Sequence, residues 1–138
     1  MTSLGEMPKI ALSGEVRGLT LRERQSLLVK CLEKLFAYAH QQGMELTLGE
    51  GYIQEGRKAR DGRLFHDGVH MPGSLHYDRL AIDLNLFVRG EYISDGKDLA
   101  WIDLGAFWES LDPENCAWGG RFKSGDSNHF SIRWGGRA

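Results

Sequence analysis

A nearly continuous apolar segment near the middle of the chain contains one carboxylate, and this combination constrains the fold more than any other feature of the sequence. Every residue of Leu80–Val88 is apolar except Asp83 and Asn85. Such a run predicts a buried strand. A charged side chain is costly to bury unless it is paired or bound to a metal, so Asp83 is either an ion-pair partner or a metal ligand.

A long amphipathic helix is predicted before this strand. Thr20 and Glu23 have the spacing of a capping box, in which the two residues satisfy each other's backbone N–H groups at the start of a helix. Apolar residues then recur at three- and four-residue steps between Leu28 and Ala39, which predicts one apolar stripe. Gly43 follows at the position where a left-handed cap ends a helix.

The remaining periodicity predicts short strands and a second helix. Alternating apolar residues indicate strands at 44–48 and 130–134, and apolar residues at 99–111 indicate a helix. No repeat or linker divides the chain, and 138 residues suit one hydrophobic core. We therefore expect a single domain, residues 1–138, with an α+β fold in which helices pack on one face of a small, largely antiparallel sheet.

Charge and hydropathy argue against several functional classes. The net charge of −2 provides no overall field toward nucleic acid or an anionic membrane. No apolar run approaches the ~20 residues of a membrane span. The first twenty residues also lack the continuous apolar segment of a signal peptide. We expect a monomer that is not inserted in a membrane, does not bind nucleic acid and stays in the cytoplasm of the producing cell until something releases it.

Two histidines and one carboxylate form a candidate metal site. His76, Asp83 and His129 offer the donor set of a catalytic zinc ion, with a fourth position left open. Asp126, three residues before the last histidine, is a candidate to take a proton from water at that position. The spacings alone leave two simpler alternatives open. Asp83 could pair with a neighbouring arginine such as Arg79, and Asp126 could belong only to a turn.

The glycine-rich segment 49–73 is predicted to be a long loop, and long loops inside compact domains are often functional. His66 and His70 lie in it as competing metal ligands, or else as solvated or substrate-facing side chains. The same segment carries a basic cluster without interleaved aromatic residues, which favours a solvated loop over a nucleic-acid site. Its members are Arg57, Lys58, Arg60 and Arg63.

Taken in order, four short motifs resemble those of a known family. They are Ser74-x-His76, Ala81-x-Asp83, Trp118-Gly119-Gly120 and Asp126-x-x-His129. With them, residues 44 to 134 resemble the zinc peptidases that comprise bacterial D-alanyl-D-alanine carboxypeptidases and dipeptidases and phage L-alanyl-D-glutamate endopeptidases. The signalling domain of hedgehog proteins shares their fold. The short single-domain form and the aspartate before the last histidine are most similar to the phage endolysin branch.

Two positions depart from the family pattern. Arg79 stands three residues after the first ligand, where the family often has glycine. The family also commonly carries Gly-Tyr-Arg before that ligand, and its arginine helps to polarise the scissile carbonyl. Here Ile53 occupies the place of this arginine. The polarising role therefore falls to Arg57, Arg60 or Arg79, or to none of them.

The resemblance implies specific roles for the candidate residues. Zinc would be bound by the two histidines and Asp83, and Asp126 would accept a proton from the attacking water and return it to the departing amine. Ser74 and the arginines Arg57 and Arg79 are candidates for contact with substrate. Trp118, beside the two glycines, is expected at the wall of the cleft.

The resemblance also implies a substrate, the stem peptide of peptidoglycan, cleaved between L-alanine and D-glutamate by a phage or prophage endolysin. Three alternatives remain open. A D-Ala-D-Ala carboxypeptidase would use the same site on another bond. A zinc-bearing module could bind cell wall or a protein partner without catalysis, although it would have no need for Asp126. Finally, an α+β domain with purely structural histidines would bind no stoichiometric metal.

Overall fold

The computed structural model of the protein describes residues 18–52 and 74–138. Two α-helices and five strands lie in these ranges, together with two short 3-10 helices. In chain order the elements are α1 (Leu21–Gln41), β1 (Met44–Leu48), a 3-10 helix (Leu75–Asp78), β2 (Ala81–Val88), β3 (Glu91–Tyr92), α2 (Leu99–Leu111), β4 (Cys116–Trp118), a second 3-10 helix (Gly119–Arg121) and β5 (His129–Ile132). This arrangement confirms the predicted α+β class. Neither described α-helix is long and apolar enough to cross a lipid bilayer.

The strands form one antiparallel sheet in the order β1-β2-β5-β4, and β3 pairs with the end of β2. The apolar run recognised in the sequence is therefore a central strand with a neighbour on each side. In the register of β2 with β5, Ala81 lies opposite Ser131 and Asp83 lies opposite His129. Directly opposed residues of an antiparallel pair carry their side chains on the same face. The sheet thus places Asp83 and His129 side by side.

Helix α1 begins and ends as its sequence predicts. The Thr20 N–H donates to Glu23 Oε1 at 2.9 Å, and the Glu23 N–H donates to Thr20 Oγ1 at 3.2 Å. Gly43 follows the helix with φ of +76°, a conformation that glycine adopts without steric cost. The predicted stripe packs into the same core as the sheet, through the buried side chains of Leu28, Cys31, Leu35 and Ala39.

The centre of the core fastens α2 to the two strands at one edge of the sheet. Trp108 is fully buried and meets Phe130 of β5 edge to face, with ring centroids 5.7 Å apart. Its indole N–H donates to the Ala117 carbonyl of β4 at 3.1 Å and lies 3.3 Å from the Ser131 carbonyl of β5. These contacts hold β5, and with it His129, against helix α2.

The last strand is shorter than predicted. Strand β5 ends at Ile132, whereas the alternating pattern extends to Trp134. Beyond it Gly135 and Gly136 adopt φ of +58° and +76°, which turns the chain sharply. Trp134 and Arg137 exchange backbone hydrogen bonds of 3.1 and 3.0 Å across this turn. The final residues therefore fold back on themselves instead of extending the sheet.

We expect Gly105→Ala to destabilise the protein, because the indole of Trp118 fills the space beside Gly105 and a Cβ there would overlap its ring. Overpacking of this kind costs about 1–3 kcal/mol in the free energy of unfolding. The gain of about 1 kcal/mol in helix propensity opposes it only partly. Chemical denaturation would measure the net loss.

The neighbouring Ala106→Gly is the matched control for this variant. Ala106 lies on the exposed face of α2, so its replacement should cost only the propensity difference of about 1 kcal/mol. A Gly105→Ala protein as stable as the wild type would contradict the close contact with Trp118.

Candidate metal centre

Three side chains with metal-binding atoms converge where β2 meets β5. His76 comes from the first 3-10 helix, Asp83 from β2 and His129 from the first position of β5. One ligand atom of each residue lies within 4.8 Å of the others. The structure thus brings together the trio that the sequence singles out, and these residues could hold a metal ion.

The Asp83 carboxylate is the point at which the two imidazoles meet. Asp83 Oδ1 lies 3.3 Å from His76 Nε2 and 3.5 Å from His129 Nδ1. The two imidazole planes are inclined by 73°, with centroids 5.3 Å apart. Both histidines are buried, whereas the Asp83 side chain keeps 19% of its surface exposed. The cluster is therefore enclosed on its histidine side and accessible beside Asp83.

The electrostatics of the cluster favour a cation. Burial by itself would raise the pKa of Asp83, but the two imidazoles outweigh it and hold the pKa at about 2, so the carboxylate is ionised at neutral pH. Burial would lower the pKa of His76, yet Asp83 raises it above its ordinary value. Asp83 Oδ1 is itself buried and has no hydrogen-bond partner among the described residues. A buried anionic oxygen of this kind is costly unless a cation meets it, so the donor set fits a metal ion.

Two groups outside the cluster orient His76. Its Nδ1 lies 2.8 Å from the Gly51 carbonyl, which accepts a hydrogen bond when Nδ1 carries the proton. That tautomer puts the lone pair on Nε2, the nitrogen on the Asp83 side, which is the arrangement of a metal-binding histidine. The Ser74 hydroxyl accepts a hydrogen bond from the His76 backbone N–H at 3.3 Å. Ser74, a candidate for contact with substrate, therefore caps the turn that presents the first ligand.

The Gly51 carbonyl is a site component that the sequence analysis missed. The chain at Gly49 and Glu50 runs along β2, with the Gly49 N–H donating to the Asp83 carbonyl and the Asp83 N–H donating to the Glu50 carbonyl, each at 2.7 Å. A Cβ on Gly49 would approach the Asp83 carbonyl oxygen to 2.9 Å, so glycine permits this close approach. The available sequence signal is the pair of glycines just after a strand, which by itself predicts only the beginning of a loop.

Asp126 lies in the loop that leads into β5. Its backbone N–H donates to the Gly119 carbonyl at 2.9 Å, and its own carbonyl accepts from the His129 N–H at 3.1 Å. The turn suggested by the sequence is therefore present, with Gly125 at φ of +68°. The side chain of Asp126 is exposed and is not a member of the three-residue cluster. Asp126 is thus held next to a candidate ligand through its backbone while remaining outside the ligand set.

Trp118 supports this loop from inside the molecule. The residue is 4% exposed, and its indole N–H donates to the Ser127 carbonyl at 2.6 Å. The next residue, Gly119, has no room for a side chain, because a Cβ would overlap the Asp126 carbonyl oxygen. Trp118 was expected at the wall of a cleft. In the structure Trp118 is buried, and its indole N–H holds the loop between Asp126 and His129 at Ser127.

Arg79 does not pair with Asp83. Its guanidinium lies over the ring of Tyr52, with its central carbon 4.1 Å from the ring centroid. The simpler alternative of an Arg79–Asp83 ion pair is therefore not what this structure shows. The other candidates from the glycine-rich segment lie outside the described residues; these are Arg57, Lys58, Arg60, Arg63, His66 and His70.

Comparison with known proteins supports the fold. No protein-family model matches the sequence, and no curated protein matches it either. Among solved structures, the chain is similar to the L-Ala D-Glu endopeptidase ChiX of Serratia marcescens, with a TM-score of 0.60. The two proteins are 19% identical, and the match covers 82% of this chain and 83% of the other. Likeness at this identity establishes the shared fold, whereas function has to be argued from the site.

We expect the protein to bind one zinc ion, used as a probe metal, and His129→Ala to abolish measurable binding because only two ligands would remain. Calorimetric titration would measure the affinity directly. In thermal unfolding, zinc at a hundred times its Kd should stabilise the wild type by about 2.7 kcal/mol and leave the variant unchanged.

His40→Ala is the control, because His40 is an exposed histidine of α1. It should bind zinc as the wild type does. Equal zinc affinity in the wild type and His129→Ala would show that His129 is not a ligand of the metal.

Proposed function

We propose that this protein is a zinc-dependent peptidase that cleaves the stem peptide of peptidoglycan at the bond between L-alanine and D-glutamate. The observation that carries this function is the cluster of His76, Asp83 and His129, built on a fold shared with an L-Ala D-Glu endopeptidase. The fold alone would permit many activities. The ligand set is what narrows the choice to metal-dependent chemistry.

Zinc is the metal that these donors suit best. Two imidazole nitrogens and one carboxylate oxygen are a recurrent set of three protein ligands in catalytic zinc sites, which keep a fourth position for water or substrate. Structural zinc sites are normally closed by four protein ligands and are rich in cysteine. The two cysteines of the chain, Cys31 and Cys116, are buried free thiols in the core, and neither belongs to the cluster.

In the proposed peptide hydrolysis, different residues bind the metal, transfer the proton and position these groups. His76, Asp83 and His129 hold the zinc, which when bound acts as a Lewis acid on water and on the scissile carbonyl. Asp126 is the general base: its carboxylate takes a proton from the attacking water and delivers it to the nitrogen of the departing amine. The Gly51 carbonyl keeps His76 in the correct tautomer. Trp118 keeps Asp126 close to His129 by holding the loop at Ser127.

The cellular role that accompanies this activity is that of a phage or prophage endolysin. The chain would act as a monomer, remain in the cytoplasm of the producing host and reach the cell wall only after release. Its partner is the peptidoglycan stem peptide, with no role for nucleic acid or membrane insertion. The motif resemblance supports this role. Identification of the cleaved bond would distinguish an endolysin of this kind from a D-Ala-D-Ala carboxypeptidase.

Mass analysis of purified peptidoglycan digested by the zinc-loaded protein tests the activity directly. New L-alanine carboxyl ends paired with D-glutamate amino ends, lost when a chelator is present, are the expected products. Release of terminal D-alanine would instead assign a carboxypeptidase. A protein that holds one zinc ion but releases no product would be a binding module.

We expect Asp126→Ala to keep zinc affinity while the rate of cleavage falls by roughly 10² to 10⁴, the usual contribution of a general base. The rate constant for a synthetic stem peptide and a zinc titration would be measured on the same preparation. Asp126→Asn, which keeps the shape of the side chain, should lose activity to a similar extent.

The control for the base variants is Glu45→Ala, which removes an exposed carboxylate from β1. It should retain the wild-type rate. Full activity in Asp126→Ala would show that another group takes the proton.

A further inference from the structure

Arg79 has an unusual backbone conformation for a residue with a side chain. It follows the 3-10 helix that carries His76 and adopts φ of 58° and ψ of 37°, in the left-handed region. For a residue other than glycine this conformation is sterically unfavourable. Outliers of this kind cluster at ligand-binding and catalytic positions, so the side chain at this point merits a functional explanation.

The side chain of Arg79 is stacked on Tyr52, the residue that follows the Gly51 carbonyl at His76. Its guanidinium lies over the exposed ring of Tyr52, 4.1 Å from the centroid. Both partners are connected to His76, because Tyr52 follows the Gly51 carbonyl that contacts His76 Nδ1, and the Arg79 N–H donates to the His76 carbonyl at 3.3 Å. The Arg79–Tyr52 pair therefore flanks the site on the side of its first ligand.

The two described carboxylates nearest to Arg79 in the chain, Asp78 and Asp83, lie against other groups. The Asp83 carboxylate lies 3.3 and 3.5 Å from the imidazoles of His76 and His129. Asp78 forms an ion pair with Arg137 at 2.9 Å. No ion pair to Arg79 occurs within residues 18–52 and 74–138. Stacking engages the face of a guanidinium, whereas its N–H donors lie in the plane and match a carboxylate bidentately. The arrangement suits recognition of an anion on the side of the site that carries His76.

We propose that Arg79, supported by Tyr52, is a specificity-determining residue that binds the free carboxylate of the glutamate following the scissile bond. This inference rests on the proposed cleavage between L-alanine and D-glutamate. Glutamate has two carboxyl groups, and a peptide chain that continues beyond it uses only one. The other remains as a free carboxylate close to the bond that is cut. A carboxylate is the group that the N–H donors of a stacked arginine bind.

The test compares two synthetic stem peptides that differ only at this group, one with the free carboxylate and one with a carboxamide. Zinc-loaded wild type, Arg79→Gln and Arg79→Lys are assayed for kcat and KM with both. Binding of both peptides is measured separately by calorimetry, so that recognition is observed even without turnover. Arg79→Gly is a third variant that suits the left-handed backbone, and thermal unfolding confirms that each protein is folded.

The wild type should bind the carboxylate peptide about ten to a hundred times more tightly than the carboxamide peptide, as a charge-assisted hydrogen bond implies. Arg79→Gln and Arg79→Gly should lose this preference mainly through KM and Kd, and Arg79→Lys should restore part of it. Cleavage of both peptides at equal efficiency by the wild type would overturn the role of Arg79 and leave the proposed function standing. A preference in binding without cleavage would support the carboxylate site and reject the peptidase activity, and failure to bind either peptide would overturn both.

Discussion

The pairing of Asp83 with His129 across strands β2 and β5 is the constraint on which the rest of the site depends. Because the two residues are directly opposed in an antiparallel ladder, their side chains must share a face of the sheet. A shift of one residue in this register would send one of the two ligands to the other face. Only His76 then has to be supplied from outside the sheet, and a short 3-10 helix immediately before β2 does so.

The core stabilises this register from behind. Trp108 contacts β4 and β5 together through its indole N–H, and Phe130 packs against its ring directly after His129 in the chain. A buried, ionised carboxylate is unfavourable by itself, and the two imidazoles beside Asp83 more than offset the effect of burial on its pKa. The apolar core packs behind β2 and β5, and the register of these strands places Asp83 beside His129. Such a preorganised anionic site is ready for a cation without rearrangement.

One short segment connects the metal centre to the surface around it. Gly49 and Glu50 hydrogen-bond to β2. Gly51 then provides the carbonyl that orients His76, and the ring of Tyr52 lies beneath the guanidinium of Arg79. The geometry of the metal ligand and the position of the arginine are therefore coupled through the same few residues. In the proposed peptidase, metal chemistry and recognition of the charged substrate would share this support.

Much of the fold was predictable, because helices and strands leave local periodic patterns. The capping box at Thr20, the buried stripe of α1 and the strand around Asp83 all followed from spacing, and each is present. The end of β5 was predicted two residues too late, since the turn at Gly135 and Gly136 competes with an alternation that looks like a strand. The burial of Trp118 was also not foreseen, because a tryptophan next to glycines has no local pattern that distinguishes a core position from a cleft wall.

The amino-acid sequence by itself determined the identity of the candidate ligands, since a carboxylate in an apolar strand and two histidines in a specific motif order are visible without coordinates. Only the tertiary structure decided that their donor atoms meet, that Asp83 pairs with imidazoles instead of Arg79, and that the Gly51 carbonyl and Tyr52 complete the surroundings. The physical reason is the distance along the chain between the residues that make each contact. Secondary structure arises from neighbours a few residues apart, whereas these contacts join groups separated by up to 53 positions, between residues 76 and 129. Their formation depends on the strand register and on the packing of the whole core.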